Sequence, residues 1–248
     1  VLRAAAENLI PVVTELGGKS ANIIFADADL DQAATLSAHQ GPLMQSGQSC
    51  ACASRILVQD AIYDEFVERF LAIVSTARVG DPTDPSVRLG PVISSASLER
   101  ILTIVDRAVD EGGDLLTGGH RIADGPLAEG FYVAPTVLGN VDNQSALAQD
   151  ETFGPVVSLM RFTDVDEAVR IANDTQYGLN AFVHTRDLTR AHTVSRRLEA
   201  GSVWVNQFSQ VSPQGPYGGF KQSGFGRTGG LEGFQEFTRV KNIRIGIS

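Results

Sequence analysis

Residues 11–25 read Pro-Val-Val-Thr-Glu-Leu-Gly-Gly-Lys-Ser-Ala-Asn-Ile-Ile-Phe, and this stretch shows the pattern on which the rest of the chain is built. Two short apolar runs, Pro11–Glu15 and Asn22–Phe25, lie on either side of a segment that holds two glycines. Short apolar runs bounded by turn residues are typical of buried strands. The stretch therefore predicts two strands separated by a glycine-containing connection.

Apolar runs of strand length recur along the chain and alternate with segments of helical periodicity. The other predicted strands are Arg55–Gln59, Val156–Phe162, Ala181–His184 and Ser202–Val205. Apolar residues between Leu98 and Val109 form one stripe at helical spacing, and Asp164 and Asp187 are predicted to cap two further helices. This alternation predicts an α/β domain around a mostly parallel sheet.

The C-terminal part has a different pattern. Residues 214–233 are rich in glycine, and Ile243, Ile245 and Ile247 then alternate with polar or small residues as far as Ser248. Such alternation predicts a half-buried strand. A terminal strand needs a pairing partner, so we expect it to dock on a neighbouring domain or subunit.

Composition excludes several classes of protein. The chain has 248 residues, of which 43% are hydrophobic and 20% are charged, and its net charge is −9. Because the net charge is acidic, electrostatic attraction to nucleic acid or to an anionic membrane is not expected. The apolar runs are too short to span a bilayer, and no secretory signal precedes them. Since the chain begins at Val1 within helix-like sequence, we expect it to be the C-terminal part of a longer protein.

Cys50 and Cys52 are the two cysteines of the chain. They are too close in sequence to form an unstrained disulfide with each other. The four histidines are scattered without the spacing of metal ligands, so we expect no metal site. Reduced thiols fit a cytoplasmic protein.

Glu15 ends the first predicted strand, beside Gly17 and Gly18. In α/β proteins functional groups often follow the ends of strands. Partial burial would raise the pKa of the carboxyl group and make it usable as a general base. The alternative is an ordinary turn in which Glu15 faces water.

Cys50 lies in the segment Gly-Gln-Ser-Cys-Ala-Cys at residues 47–52. A thiol is a strong nucleophile, and we expect nearby hydrogen-bond donors to lower its pKa. The alternative is that Cys50 and Cys52 are two small buried apolar residues.

Glu151 and Phe153 belong to the segment Glu-Thr-Phe-Gly-Pro at residues 151–155, just before a predicted strand. A carboxylate accepts hydrogen bonds from both hydroxyls of a vicinal diol, and the phenylalanine could pack against a planar ring. The alternative is a loop with a solvated glutamate and a core phenylalanine.

Three other kinds of site are not supported. Residues 224–229 match the G-x-G-x-x-G dinucleotide pattern, but no predicted strand leads into them. No G-x-S-x-G segment occurs, which leaves serine hydrolase chemistry without its signature. Gly18-Lys19-Ser20 lacks the earlier glycine of a P-loop.

Taken in order, five motifs resemble those of the aldehyde dehydrogenase superfamily, and the resemblance extends from end to end. They are Glu-Leu-Gly-Gly-Lys-Ser at 15–20, Gly-Gln-x-Cys at 47–50, Glu-x-Phe-Gly-Pro at 151–155, Trp-Val-Asn at 204–206 and Gly-Gly-x-Lys-x-Ser-Gly-x-Gly-Arg at 218–227.

The resemblance implies specific roles for five residues. Cys50 corresponds to the nucleophile and Glu15 to the general base. Glu151 corresponds to the carboxylate that holds the nicotinamide-ribose hydroxyls of NAD or NADP, with Phe153 beside the nicotinamide ring and the backbone of Leu16 close to it. The implied enzyme oxidises an aldehyde to a carboxylic acid through a thiohemiacetal and a thioester.

The resemblance also implies a domain organisation and a substrate channel. Residues 1–17 would end a coenzyme-binding domain, and residues 18–222 would form the catalytic domain. Residues 223–248 would return the chain and supply the strand of an oligomerisation arm. The implied assembly is a homodimer or a homotetramer. Residues expected to line a channel for a medium-sized apolar aldehyde are Met44, Ser49, Phe208, Val211 and Tyr217.

One position departs from the family's pattern, and two other functions stay open. Thr228 stands where the family often has glutamate, which puts that local contact in doubt. Relatives that form acyl-CoA or reduce acyl phosphates usually lack the glutamate found at Glu15, and a catalytically silent scaffold would not need an intact Cys50. Because the family's glycine-rich coenzyme turn is not in this sequence, we expect residues 1–248 alone to be unable to oxidise aldehydes.

Overall fold

The computed structural model describes residues 1–247, and a β-sheet lies at the centre of an α/β fold. The strands are β1 (Thr14–Glu15), β2 (Ala21–Ile24), β3 (Arg55–Gln59), β4 (Asp114–Thr117), β5 (Arg121–Ile122), β6 (Tyr132–Val133), β7 (Thr136–Gly139), β8 (Val156–Phe162), β9 (Tyr177–Gly178), β10 (Asn180–His184), β11 (Ser202–Val205), β12 (Phe220–Lys221) and β13 (Gly224–Phe225). The helices are α1 (Leu2–Glu7), α2 (Leu30–Gln40), α3 (Tyr63–Ser75), α4 (Ser95–Asp110), α5 (Ala146–Gln149), α6 (Val165–Asn173), α7 (Leu188–Arg197) and α8 (Gly230–Glu236).

Seven strands form the central sheet in the order β11-β10-β2-β3-β8-β7-β4. Neighbours from β11 to β7 are parallel, whereas the edge strand β4 is antiparallel to β7. The predicted α/β fold with a mostly parallel sheet is therefore confirmed.

Helices cover both faces of this sheet, so its strands are apolar on both sides. Along β3, Ile56 and Val58 belong to the core under α2 and α3, while Leu57 belongs to the core under α4, α6 and α7. Most predicted strands match the observed ones to within one residue. The predicted caps also form: Asp164 accepts from the backbone N–H of Glu167 at 2.9 Å, and Asp187 from that of Arg190 at 3.1 Å.

The first predicted strand is wrong in length and in place. Of the run Pro11–Glu15, only Thr14 and Glu15 form a strand, and β1 pairs antiparallel with β13 outside the central sheet. Thr14 is the buried member of the run, so the run lacks the apolar face that a central strand requires. Gly224 makes the pairing possible, because a Cβ atom there would lie 2.0 Å from the Thr14 carbonyl oxygen.

The predicted C-terminal strand is not formed within this chain. Residues 238–247 have no strand assignment, and the side chains of Ile243, Ile245 and Ile247 are exposed. A strand is stable only with a hydrogen-bonded neighbour, and no segment among residues 1–247 pairs with this one. Ser248, the last residue of the predicted segment, lies outside the described residues. No helix in the described part of the chain has the length and apolar character needed to cross a membrane.

Candidate active site

The predicted site segments meet at one edge of the central sheet. Residues 16–20 lead into β2, residues 45–54 into β3, and residues 150–155 into β8. Because these three strands are parallel neighbours, their starts lie side by side. We call this the amino edge of the sheet. Glu15 was expected after the end of a central strand; it lies instead on the β1–β13 ribbon that borders the amino edge.

The segment before Cys50 has an unusual backbone. Gln45, Ser46 and Gly47 all have left-handed conformations, with φ of 50°, 56° and 69°. A Cβ atom on Gly47 would lie 1.8 Å from the Gly154 carbonyl oxygen, so only glycine fits there. Gln48 then ties the segment to the loop before α4, since its side chain donates to the Pro91 carbonyl at 3.2 Å. The loop that carries Cys50 is thus held from two sides.

Cys50 is the more accessible of the two thiols, and charged groups surround it. Burial raises the pKa of the Cys50 thiol, and the carboxylates of Glu151 and Glu15 raise it further. The backbone N–H groups of Cys50 and Ala51 act in the opposite direction but do not cancel these effects. The structure therefore does not support the expected lowering of the thiol pKa, because burial and, after it, the two carboxylates outweigh the donors.

Cys52 has a different environment from Cys50. It is only 7% exposed, and its sulfur lies 3.7 Å from the Met44 carbonyl oxygen. Burial raises the pKa of Cys52 to about 12. The thiol that solvent and substrates can reach is Cys50.

Glu15 shares the site with Cys50 and Tyr217. Burial raises the pKa of the Glu15 carboxyl group, while the nearby Arg227 guanidinium lowers it in part. The Tyr217 hydroxyl accepts a hydrogen bond from the Asn180 side chain at 3.3 Å. Burial raises the pKa of Tyr217 as well, and the ionised forms of Cys50 and Glu15 raise it further. A thiol, a carboxyl group and a phenol thus lie within electrostatic range of each other.

Glu151 contacts the glycine turn that follows Glu15. The backbone N–H of Gly18 donates to the Glu151 carboxylate at 3.0 Å. A Cβ atom on Gly17 would lie 2.8 Å from the other carboxylate oxygen. Close in sequence to this contact, Leu16 and Phe153 keep 52% and 41% of their surface exposed. A carboxylate with exposed apolar residues close to it in sequence could receive the sugar hydroxyls and the flat ring of a nicotinamide nucleoside.

The five predicted channel residues line three separate hollows. Met44 and Phe208 line one of about 330 Å³, and Val211 and Tyr217 line another of about 240 Å³. Ser49 lines a small cavity beside Glu151 and Phe153. The structure therefore does not join these residues into one channel.

Four residues at the site were not predicted from the sequence, namely Lys19, Arg100, Asn180 and Arg227. Lys19 and Arg227 belong to quoted motifs, and a basic residue within a glycine-rich motif was the available signal. Arg100 and Asn180 lie in helix and strand segments of ordinary composition, so their contacts follow only from the fold.

Comparison with known proteins gives a consistent set of relatives. The sequence model of the aldehyde dehydrogenase family matches residues 1–243. Aldehyde dehydrogenase 1A1 of Oryctolagus cuniculus is 45% identical over 246 residues, which are 99% of this chain and 48% of that protein. The chain thus spans about half the length of the curated relative it matches.

Two solved structures are similar over nearly the whole chain. Betaine aldehyde dehydrogenase from Staphylococcus aureus, in complex with NAD+, superposes with a TM-score of 0.91 at 39% identity, covering 95% of this chain and 46% of that one. Indole-3-acetaldehyde dehydrogenase AldA of P. syringae, solved with NAD+ and IAA, gives a TM-score of 0.92 at 40% identity, covering 97% and 48%.

Proposed function

The chain belongs to the aldehyde dehydrogenase family, and we propose that the protein oxidises an aldehyde to a carboxylic acid with NAD+ or NADP+ through a covalent intermediate on Cys50. The observation that carries this proposal is the meeting of one accessible thiol, Cys50, with the carboxyl groups of Glu15 and Glu151 at the amino edge. A scaffold protein would have no use for this arrangement.

Cys50 acts as the nucleophile in the first step. The Cys50 thiol gives its proton to solvent, and the thiolate sulfur then attacks the aldehyde carbon, which gives a thiohemiacetal. The backbone N–H of Cys50 already faces this sulfur and can donate to the oxyanion that develops beside it. Because the pKa of the thiol is raised, attack depends on a step that removes its proton.

Glu151, Phe153 and Leu16 would hold the nicotinamide end of the coenzyme. The Glu151 carboxylate would accept hydrogen bonds from the ribose hydroxyls, while Phe153 and the backbone of Leu16 would border the nicotinamide ring. When bound, the coenzyme supplies the hydride acceptor that converts the thiohemiacetal into a thioester. Since the two solved relatives above contain NAD+, NAD+ is the first coenzyme to test.

Glu15 completes the reaction as general base. Its raised pKa keeps it a stronger base than an ordinary carboxylate, and it takes a proton from the water that attacks the thioester. Hydrolysis releases the carboxylic acid and restores Cys50. A base at Glu15 favours hydrolysis over transfer of the acyl group to coenzyme A or phosphate.

The apolar side chains of the predicted channel residues support a medium-sized, largely apolar aldehyde. Met44 and Phe208 line one hollow, Val211 and Tyr217 line a second, and Ser49 precedes the nucleophile in sequence. The relatives named above act on different aldehydes, so none of their substrates is assigned to this protein.

For the whole protein we propose a cytoplasmic homodimer or homotetramer. Residues 18–222 form the catalytic domain, residues 1–17 end the coenzyme domain, and residues 223–248 return the chain and supply an oligomerisation strand. The exposed isoleucines of the tail support docking on a second copy. Pairing of β1 with β13 supports the return of the chain to the coenzyme side.

The proposal is tested by separating acylation from deacylation with an activated ester such as 4-nitrophenyl acetate. Acylation of Cys50 by an ester and its hydrolysis need no hydride acceptor, so residues 1–248 suffice. In Glu15→Gln we expect a burst of nitrophenol with normal amplitude, followed by turnover that is slower by about a hundredfold or more. Glu129→Gln, at an exposed loop position, is the matched control and should behave like the unmodified chain.

Two results would contradict this assignment. If the burst and the steady rate fell together in Glu15→Gln, Glu15 would act on the thiol or only on the fold. If Cys50→Ala kept the ester hydrolysis of the parent chain, Cys50 would not be the nucleophile.

A further inference from the structure

Lys19 is a buried basic residue that the proposed chemistry does not use. Its side chain is 2% exposed, and no ion pair with it is found among residues 1–247. Burial lowers the pKa of Lys19 to about 7; Arg55 acts in the same direction, and Glu151 opposes it. A buried amine without a paired carboxylate is unfavourable for stability, and an apolar side chain of similar size would be better tolerated. Such a residue calls for an explanation in terms of function.

The hydrogen bond that Lys19 makes connects it to the loop that carries Glu151, the carboxylate proposed to bind the coenzyme. The Lys19 ammonium donates to the Thr152 hydroxyl at 3.2 Å, and Thr152 stands between Glu151 and Phe153. One residue earlier in the chain, the Gly18 N–H donates to the Glu151 carboxylate at 3.0 Å. Two adjacent hydrogen bonds therefore join the turn after Glu15 to the loop that carries Glu151.

The loop of residues 150–155 has a backbone conformation that surrounding contacts must maintain. Phe153 has a left-handed backbone with φ of 48°, a conformation that non-glycine residues adopt only when the surroundings enforce it. From α4, Arg100 donates to the Thr152 carbonyl at 2.6 Å. Arg100 thus holds the backbone of Thr152, and Lys19 holds its side chain. Because Glu151 and Phe153 are bonded to Thr152, these two contacts also restrict their positions.

We propose that Lys19 is a positioning residue: by donating to Thr152, it holds the Glu151 carboxylate against the Gly17–Gly18 turn and beside Cys50. The proposal rests on the proposed function in one respect, namely that Glu151 is the carboxylate that receives the coenzyme's ribose. Lys19 touches neither substrate nor coenzyme and acts only through Thr152.

The reactivity of Cys50 reports on the position of Glu151 without any coenzyme. Because Glu151 raises the pKa of Cys50, Glu151→Gln should lower the midpoint of the pH profile of Cys50 alkylation by iodoacetamide by about half a unit to one unit. Lys19→Met and Thr152→Val should shift the midpoint in the same direction, since they free the carboxylate to move away. Thr152→Ser keeps the hydroxyl and should retain the original profile.

Two further measurements separate positioning from a general loss of structure. Lys19→Met should melt at the same temperature or higher, because a buried amine is replaced by an apolar side chain of similar size. In the Glu151→Gln background, Lys19→Met should cause no additional shift of the alkylation profile, because Lys19 acts through Glu151.

The proposal is overturned if Lys19→Met leaves the profile unchanged while Glu151→Gln moves it. It is also overturned if Lys19→Met causes an equal shift in the Glu151→Gln background, which would mean a direct charge effect on Cys50. Calorimetry of NAD+ binding, carried out on protein that includes the coenzyme-binding domain, distinguishes a failure of the proposed function from a failure of the positioning role. If Glu151→Gln leaves that binding unchanged, the coenzyme role of Glu151 fails while the positioning role stands.

Discussion

The two edges of the central sheet differ in whether their charged side chains have partners of opposite charge. At the carboxyl edge, which comprises the residues that follow β2, β3, β8 and β10, charges are matched by partners. Asp27 accepts from Thr185 at 2.9 Å and from Arg190 at 2.6 Å. At the amino edge, Cys50 lies beside carboxylates, and Lys19 has no carboxylate partner within ion-pair distance in the described chain.

The pKa directions express the same contrast. Burial tends to raise the pKa of Asp27, but the hydrogen bond from Thr185 and the charge of Arg190 more than reverse this, so that it ends below its ordinary value. At the amino edge the pKa values of Glu15 and Cys50 are raised instead. Well-compensated charges stabilise a fold, whereas poorly compensated groups in an accessible place are suited to proton transfer and nucleophilic attack. The candidate active site lies at the amino edge, although open α/β sheets more often bind ligands at the carboxyl ends of their strands.

The largest effect on stability is expected from the backbone of the amino edge. Gly47→Ala places a Cβ atom 1.8 Å from the Gly154 carbonyl oxygen and also forces alanine into a left-handed conformation. We expect it to lower the free energy of unfolding by about 3 kcal/mol or more. Gly112→Ala is the matched control, since its φ is also positive but its Cβ would meet nothing within 4 Å, and we expect about 1 kcal/mol. Urea denaturation of both variants measures the difference, and equal losses would show that close packing at the amino edge is not the cause.

The carboxyl edge contains one group whose titration should weaken the fold. His184 is buried at the end of β10, its Nε2 has no hydrogen-bond partner among the described residues, and burial lowers its pKa to about 4. The unfolded chain binds a proton at the ordinary histidine pKa, so this contribution to stability is fully present above pH 6.5 and is lost as the pH falls toward 4. The loss is roughly 3 kcal/mol.

Unfolding free energies measured across this pH range test the assignment. His184→Gln should flatten the slope, whereas His192→Gln, at an exposed position of α7, should leave it unchanged. A slope that stays steep in His184→Gln would assign the acid sensitivity to other groups.

The smallest effect is expected from the surface ion pairs of the carboxyl edge. Arg161 pairs with Asp60 and Asp64 at 2.7 Å each, but all three side chains are well exposed. Arg161→Gln should therefore cost less than about 1 kcal/mol and leave hydrolysis of an activated ester at the parent rate. A clear loss of ester hydrolysis in this variant would show that the two edges are coupled and would weaken the contrast drawn between them.

Local patterns in the sequence were sufficient for the central sheet. The strand Arg55–Gln59 and the cap at Asp164 depend on the burial and hydrogen bonding of neighbouring residues, which short-range composition reflects. The strand predicted for Pro11–Glu15 was wrong because its pairing partner, β13, lies far along the chain. The strand predicted for Ile243, Ile245 and Ile247 was expected to dock on a neighbouring domain or subunit, and it stays a prediction. A pattern of alternating residues predicts a strand but does not supply the second strand.

The motifs pointed to candidate site residues but not to their electrostatics. Each segment alone left an ordinary structural role open for Cys50, Glu15 and Glu151, and their roles were expected only from the resemblance of the ordered motifs. The structure brings these three side chains within electrostatic range of each other. The raised pKa of Cys50 could not be predicted, because it depends on burial in the folded chain and on the approach of Glu151 and Glu15 from other segments. Lys19 was missed for the same reason, since its partner Thr152 lies 133 residues away.

The central claim is that the amino edge carries a single reactive thiol, Cys50. Alkylation by iodoacetamide at mildly alkaline pH, followed by peptide mapping, tests it most directly. We predict that Cys50 is labelled at least about tenfold faster than Cys52, with a rate that rises with pH because the pKa of Cys50 is raised, and that Cys52 reacts only once the chain unfolds. Equal labelling of the two cysteines, or labelling of Cys52 first, would contradict the assignment.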